Sequence, residues 1–175
     1  MKFEFKNLDS ETRQLMISEI NSDISSEKLY FSKRFNENGQ QIYSKLLLEA
    51  VVSGNEESLA RALKENNCFA EKEARNGKNG ISFAKIPETA NQTLAESEFN
   101  RYYIRGLALR AIENGHTLTI YRARHSDNPR AESQMIIGKQ VSPAEILNDL
   151  RNNIGVDLAL GLPAGPNSGL SIKLT

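Results

Sequence analysis

The sequence predicts an α+β fold: a mainly helical single domain with a small β-sheet and an extended C-terminal arm ending in a strand. Three observations carry this reading. Apolar residues recur at spacings of three and four, as in Ile42, Tyr43, Leu46, Leu47, Ala50 and Val51, which is the period of an amphipathic helix. Leu118-Thr119-Ile120-Tyr121-Arg122-Ala123 is a β-rich run bounded by polar residues, and so reads as a strand. Gly155, Gly161, Pro163, Gly165, Pro166 and Gly169 then forbid a helix beyond about Leu160. Residues 1–154 are therefore expected to form the domain and residues 155–175 the arm.

A chain of 175 residues is long enough for one core and short for two. Its 39% hydrophobic and 25% charged content excludes wholesale disorder and low-complexity structure. No run approaches the roughly 18 apolar residues that a membrane span needs, so a soluble protein with no membrane partner is expected. Residues 1–6 carry charge without an apolar stretch behind it, which points to synthesis in the cytoplasm. The single cysteine, Cys68, excludes an internal disulfide.

Taken in order, Lys2-Phe3-Glu4-Phe5-Lys6 alternates like a half-buried strand. Asp9 or Ser10 caps a helix carrying Leu15, Met16, Ile17 and Ile20, and a second helix is expected through Leu29, Tyr30 and Phe31. Asn36-Glu37-Asn38-Gly39 reads as a turn before the amphipathic helix from Gln40, which Ser53-Gly54-Asn55 ends. Glu56 and Glu57 open a short helix, where carboxylates suit the positive dipole end. Residues 66–80 read as an exposed loop, followed by a brief strand at Ile81 and Phe83 that Pro87 stops.

Thr89 with Gln92 resembles a capping box. It opens the strongest helix, residues 90–113, apolar on most sides and therefore central, with Asn114-Gly115 closing it. After the strand at 118–123 comes a loop, then a strand at Met135-Ile136-Ile137-Gly138. Ser142-Pro143-Ala144-Glu145 starts another helix with Ser as N-cap, Pro at N1 and Glu at N3. Leu170, Ile172 and Leu174 alternate at the end and share one face of a strand. An arm of this composition is ordered only when docked. Two docking modes are open: pairing inside its own domain, for example beside residues 81–84, or addition to a sheet edge of another chain.

Formal net charge is zero, with 22 basic and 22 acidic residues, so no bulk attraction to nucleic acid or membrane follows. Residues 101–130 nevertheless hold six cations against two acids. All six, Arg101, Arg105, Arg110, Arg122, Arg124 and Arg130, are arginine, although lysine is as common in the whole chain. Arginine's planar fork suits buried pairs, interfaces or phosphate. Arg101, Arg105, Arg122 and Arg130 are therefore expected in protein contacts or buried ion pairs, together with Leu170, Ile172 and Leu174 as interface residues. Nucleic-acid contact is the disfavoured alternative, because the interleaved Tyr102, Tyr103 and Tyr121 read as core.

No catalytic residue, metal ligand or cofactor-binding residue is assigned. A zinc site needs about three or four ligands, and the chain offers His116, His125 and Cys68. Cys68 has no feature that would lower its pKa. Tyr121-Arg122-Ala123 resembles the arginine strand of ADP-ribosyltransferases. That resemblance implies a later Ser-Thr-Ser strand and a Glu-x-Glu loop, whereas Glu71-Lys72-Glu73 precedes the arginine.

A second resemblance spans residues 87–175. Residues 98–107 (EFNRYYIRGL), Tyr121-Arg122-Ala123, Pro129-Arg130-Ala131-Glu132-Ser133 and Gly165-Pro166-Asn167-Ser168-Gly169-Leu170 together resemble structural proteins of tailed bacteriophages. The resemblance implies a non-enzymatic virion component of the head-tail connector or adaptor type, forming a ring in the neck. Its partners would be copies of itself and portal or tail subunits, and its location the virion after synthesis in the host cytoplasm. The alternative is a small phage or bacterial regulatory protein that binds another macromolecule; an ADP-ribosyltransferase-like enzyme is third.

Overall fold

In the computed structural model, which describes residues 2–78, 80–155 and 168–175, the chain runs through α1 (Ser10–Ser25), α2 (Glu37–Ser53), α3 (Glu56–Glu65), β1 (Lys72–Gly77) and β2 (Gly80–Lys85). It continues through α4 (Ala90–Asn114), β3 (Leu118–Arg122), α5 (Ala131–Met135), β4 (Gln140–Val141), α6 (Pro143–Asn152) and β5 (Leu170–Leu174). This is the expected mainly helical α+β architecture with a C-terminal strand. β1 and β2 form an antiparallel hairpin, and a second antiparallel sheet has the order β4-β3-β5.

α4 is the axis of the molecule, packed on by α1, α3, α6 and β5. Every residue from Arg101 to Ala108 is buried, because apolar side chains on most sides of this helix each face a different neighbour. Phe99, Tyr103 and Leu107 are fully buried at spacings of four. Gly106 lets α1 approach: a Cβ there would lie 2.9 Å from Met16 Cγ and 3.1 Å from the Thr12 carbonyl. Gly115, at φ 69° in the left-handed region, ends the helix, a conformation glycine adopts without steric cost.

Several local expectations hold. Asp9 caps α1 by accepting from the Thr12 N–H, and Ser142 caps α6 by accepting from the Glu145 N–H, with Pro143 in the first turn. Glu56 and Glu57 lie in the first turn of α3 as expected, and the structure adds a reciprocal capping box between Asn55 and Ser58.

Others need correction. Leu29, Tyr30 and Phe31 form no helix. Glu27, at φ 56°, turns the chain out of α1, and the segment then runs extended so that Phe31 and Phe35 pack on the Tyr43 ring at 5.7 and 5.1 Å. Asn36 begins a helix instead of a turn, its Oδ1 accepting from the Gly39 N–H at 2.8 Å. Thr89 makes no side-chain cap bond, and Gln92 donates to Glu96 Oε1 instead. The strand expected at residues 135–138 lies at Gln140–Val141, because Arg130 leads into the short α5. Residues 2–5 form no regular strand and Lys6 enters a turn, although Glu4 N–H bonds the Ala123 carbonyl and Phe3 stacks on Phe5. Residues 66–80 are only partly loop, since Lys72–Gly77 pairs with Gly80–Lys85.

The terminal strand pairs inside the chain. β5 runs antiparallel to β3, with Ile120 opposite Ile172 and Leu118 opposite Leu174, not beside residues 81–84. Asn100 of α4 fixes it, donating to the Leu170 carbonyl and accepting from the Ser171 hydroxyl. Leu170 is 2% exposed and Ile172 is fully buried, with Leu174 packed against the same core. These side chains are spent in their own core, which corrects the interface role expected for them. Of the arm expected over residues 155–175, positions 156–167 lie outside the described residues.

Candidate interaction surface

The arginines expected to serve contacts are largely internal. Arg105 is 2% exposed and forks onto two carboxylates of α1. Its Nη1 and Nη2 donate to Asp23 at 2.5 and 2.9 Å, and its Nε donates to Glu19 at 2.7 Å. Tyr102 donates its hydroxyl to Asp23 at 2.8 Å, and Arg151 of α6 holds Glu19 from the other side. Burial pushes the Glu19 and Asp23 carboxyls up, but the guanidinium hydrogen bonds and charges outweigh it, so both lie below the ordinary carboxylate range. Burial likewise works against the Arg105 cation, yet Asp23 and Glu19 raise its pKa above the ordinary value. The network ties three helices together.

Arg101 donates to the Leu150 and Asn153 carbonyls at 3.2 and 3.0 Å and pairs with Glu98 at 3.5 Å, so it satisfies the C-terminal end of α6. Arg122 donates to the Ser168 carbonyl at 2.9 Å. Arg110 and Arg124 pair with Asp9, Glu11 and Glu96. Arg130 alone among the six is exposed. For Arg101 and Arg105 the buried-pair reading thus replaces the interface reading, because α1 and α6 supply their partners.

His116 and His125 are exposed, with His125 3.1 Å from Asp127. Cys68 is buried, and burial pushes its thiol up. Among the described residues no cluster of three or more His, Cys, Asp or Glu side chains could hold a metal ion, and no helix is long and apolar enough to cross a membrane.

Among the described residues, the β1–β2 hairpin is exposed along nearly its whole length. Strand alternation and the register Lys72↔Lys85, Ala74↔Phe83 and Asn76↔Ile81 set these six side chains on one face. Glu73, Arg75, Ser82 and Ala84 occupy the other. Glu73 is gripped by Arg34 at 2.6 Å and by Arg75 at 2.8 Å, and those hydrogen bonds pull its carboxyl down to about 2. Arg34 belongs to the body of the protein, so the Glu73 face is turned inward and the Phe83 face outward. Ile81 and Phe83 stand 71% and 72% exposed. At the hairpin base Lys72 and Lys85 rim a cavity of about 450 Å3 floored by Leu63, Cys68 and Ile86.

Two features leave this hairpin weak by itself. An isolated two-stranded hairpin is marginal in water, and like charges directly opposite one another weaken it further. Lys72 and Lys85 are such a pair. The signal in the sequence was Asn79-Gly80 ahead of Ile81 and Phe83, a hairpin dipeptide hidden because Ala74 is the one apolar residue in residues 72–77. The network's acids also left a trace, since Glu19 and Asp23 fall at a spacing of four on the same stripe as Met16 and Ile20.

Comparison with protein-family models, with curated proteins and with solved structures finds no match to this chain.

Proposed function

We propose that this protein is a non-enzymatic structural subunit that acts by assembly, in the manner of a head-tail connector or adaptor of a tailed-phage neck. The observation that supports this reading most is the outward face of the β1–β2 hairpin, where Ile81 and Phe83 are held in water on a polar strand pair. Large apolar groups displayed in this way mark interaction sites. The resemblance over residues 87–175 supplies the setting: a virion ring, contacting copies of itself and portal or tail subunits. The arginines strengthen the reading indirectly, since a body cross-braced by Arg101 and Arg105 is a rigid platform for a projecting hairpin.

The test is the mass and shape of the pure protein. Mass photometry and negative-stain imaging are expected to give one closed oligomer of uniform size. A monomer at every concentration up to the solubility limit contradicts the assembly reading and leaves the regulatory-protein alternative.

A further inference from the structure

We propose that two copies of this chain join by pairing their β2 edges antiparallel about a two-fold axis through Phe83, which fuses the two hairpins into one four-stranded sheet. The inference rests on the assembly reading above and names the contact and its occupant, a second copy.

β2 has one paired side and one bare side, and the ladder fixes which backbone groups are bare. Its sheet holds β1 and no third strand. Just past β2 the Ile86 N–H donates to the Glu71 carbonyl at 3.0 Å, so these two residues, in line with the register of Lys72 with Lys85 and Glu73 with Ala84, form a hydrogen-bonded pair. Such pairs recur at every second position of an antiparallel ladder. Ser82 and Ala84 therefore turn their backbone groups to Arg75 and Glu73, while the N–H and C=O of Ile81, Phe83 and Lys85 point the other way, along the free edge. No other backbone group of the described residues bonds them.

The molecule closes a comparable edge elsewhere. Thr117 and Thr175 exchange backbone bonds, which turns the backbone groups of Leu170 and Leu174 to the outer side of β5, and side chains meet them there. Asn100 donates to the Leu170 carbonyl and Asn7 accepts from the Leu174 N–H. β2 has no such cover. The devices that keep an edge from pairing are charge, proline and bulges, and residues 81–84 contain none of them. β1 also has a free side, but Lys72, Glu73 and Arg75 lie along it. β2 is thus the edge prepared for an added strand, whose backbone bonds supply affinity and whose alternate side chains set register.

The strand is its own complement. With Phe83 on the axis, Phe83 faces Phe83 of the second copy and Ile81 faces its Lys85, so every free backbone group of these three residues finds a partner. The rings meet across the strands and the lysine stem lies along the isoleucine. No ammonium group stands opposite another, and Lys85 keeps its own Glu88 at 3.4 Å. Aromatic cross-strand pairs stabilise a sheet and like charges directly opposite weaken it. The pairing also turns a two-stranded hairpin, marginal alone, into part of a four-stranded sheet. A two-fold contact closes at two copies, so a ring is built from such pairs.

The experiment uses the full chain, with light scattering after size exclusion over a range of concentrations and residue-resolved hydrogen exchange on the same samples. The parent is expected at an even multiple of its 19.6 kDa mass, with the amides of Ile81, Phe83 and Lys85 slowed about tenfold or more relative to the diluted monomer. Phe83→Pro removes an outward N–H while the β1 ladder keeps its bonds, so it should fold like the diluted parent and stay monomeric. Phe83→Ser, which loses the ring pair, should be monomeric too. Ile81→Lys should dissociate about tenfold more readily than Ile81→Glu, because each sets its charge opposite Lys85 of the other copy. If the proline itself lowers the melting temperature, the two Ile81 variants decide. A parent that assembles with those amides unprotected, or Ile81 variants that behave alike, overturns the edge pairing while the assembly reading stands. A parent that is monomeric at every concentration removes the assembly reading itself.

Discussion

The helical body and the β1–β2 hairpin are both rich in charge, yet they use it in opposite ways. In the body, Arg105 is sunk between Glu19 and Asp23 and bridges α4 to α1, with Arg151 adding α6. On the outer face of the hairpin, Lys72 and Lys85 stand side by side in water with Ile81 and Phe83 bare beyond them. Arginine's fork satisfies two carboxylates at once in a dry site, whereas lysine keeps its hydration on an open face. The difference teaches where each kind of interaction belongs: the arginines hold the body together, and the proposed contact surface is the one the body does not pack.

The largest expected effects come from the body. Arg105→Ala strands Asp23 as a buried charge without its cation and leaves Glu19 to Arg151 alone, and breaking such a pair costs about 3–5 kcal/mol. Thermal or urea unfolding measures it. Arg105→Lys should recover only part of the loss, since one ammonium cannot reproduce the bidentate grip on Asp23 and the bond to Glu19. Ile172→Ala should cost about 2–5 kcal/mol as a fully buried aliphatic truncation, which would confirm that the terminal strand belongs to its own core.

A second group of effects sharpens the comparison. Gly106→Val forces apart helices that already meet at 2.9 Å from a notional Cβ to Met16, and overpacking of this kind costs about 1–3 kcal/mol. Acid should act on the body through the same network. Glu19 and Asp23 lie below their ordinary values of 4.5 and 3.8, so the unfolded chain takes up their protons first as pH falls. Their stabilisation is complete above that range and drains away below it, giving an acid-unfolding limb that Arg105→Lys shifts to higher pH. Phe83→Ser stands at the small end, with a change in stability within about 0.5 kcal/mol, because the ring touches little of its own chain.

How far the sequence discloses this arrangement depends on how local each signal is. α4 was legible because its cap glycine and apolar surround lie within one continuous run. The arginine skew was legible as chemistry, but not its destination. Arg105 finds Glu19 and Asp23 more than 80 positions earlier, and only the packing of α1 on α4 brings them together. Residues 29–31 misled because Phe31 reads equally well as part of a helix stripe or as a ring laid on Tyr43 of α2. The terminal strand was legible as a strand, yet its partner was not, since alternation in Leu170, Ile172 and Leu174 demands burial without saying against what. The hairpin face was the least legible: an outward apolar pair breaks the rule that strands bury their apolar side, and such breaks gather where a protein meets something else.

The most direct measurement is a paired one on Arg105→Lys and Phe83→Ser, taking melting temperature and oligomer mass from the same samples. The account predicts a double dissociation: Arg105→Lys melts lower but assembles like the parent below its melting point, and Phe83→Ser no longer assembles yet melts like the parent when both are diluted until the parent is monomeric. The opposite pattern, with Arg105→Lys folded at parental stability and monomeric while Phe83→Ser still assembles, would return the contact surface to the arginines and contradict the account.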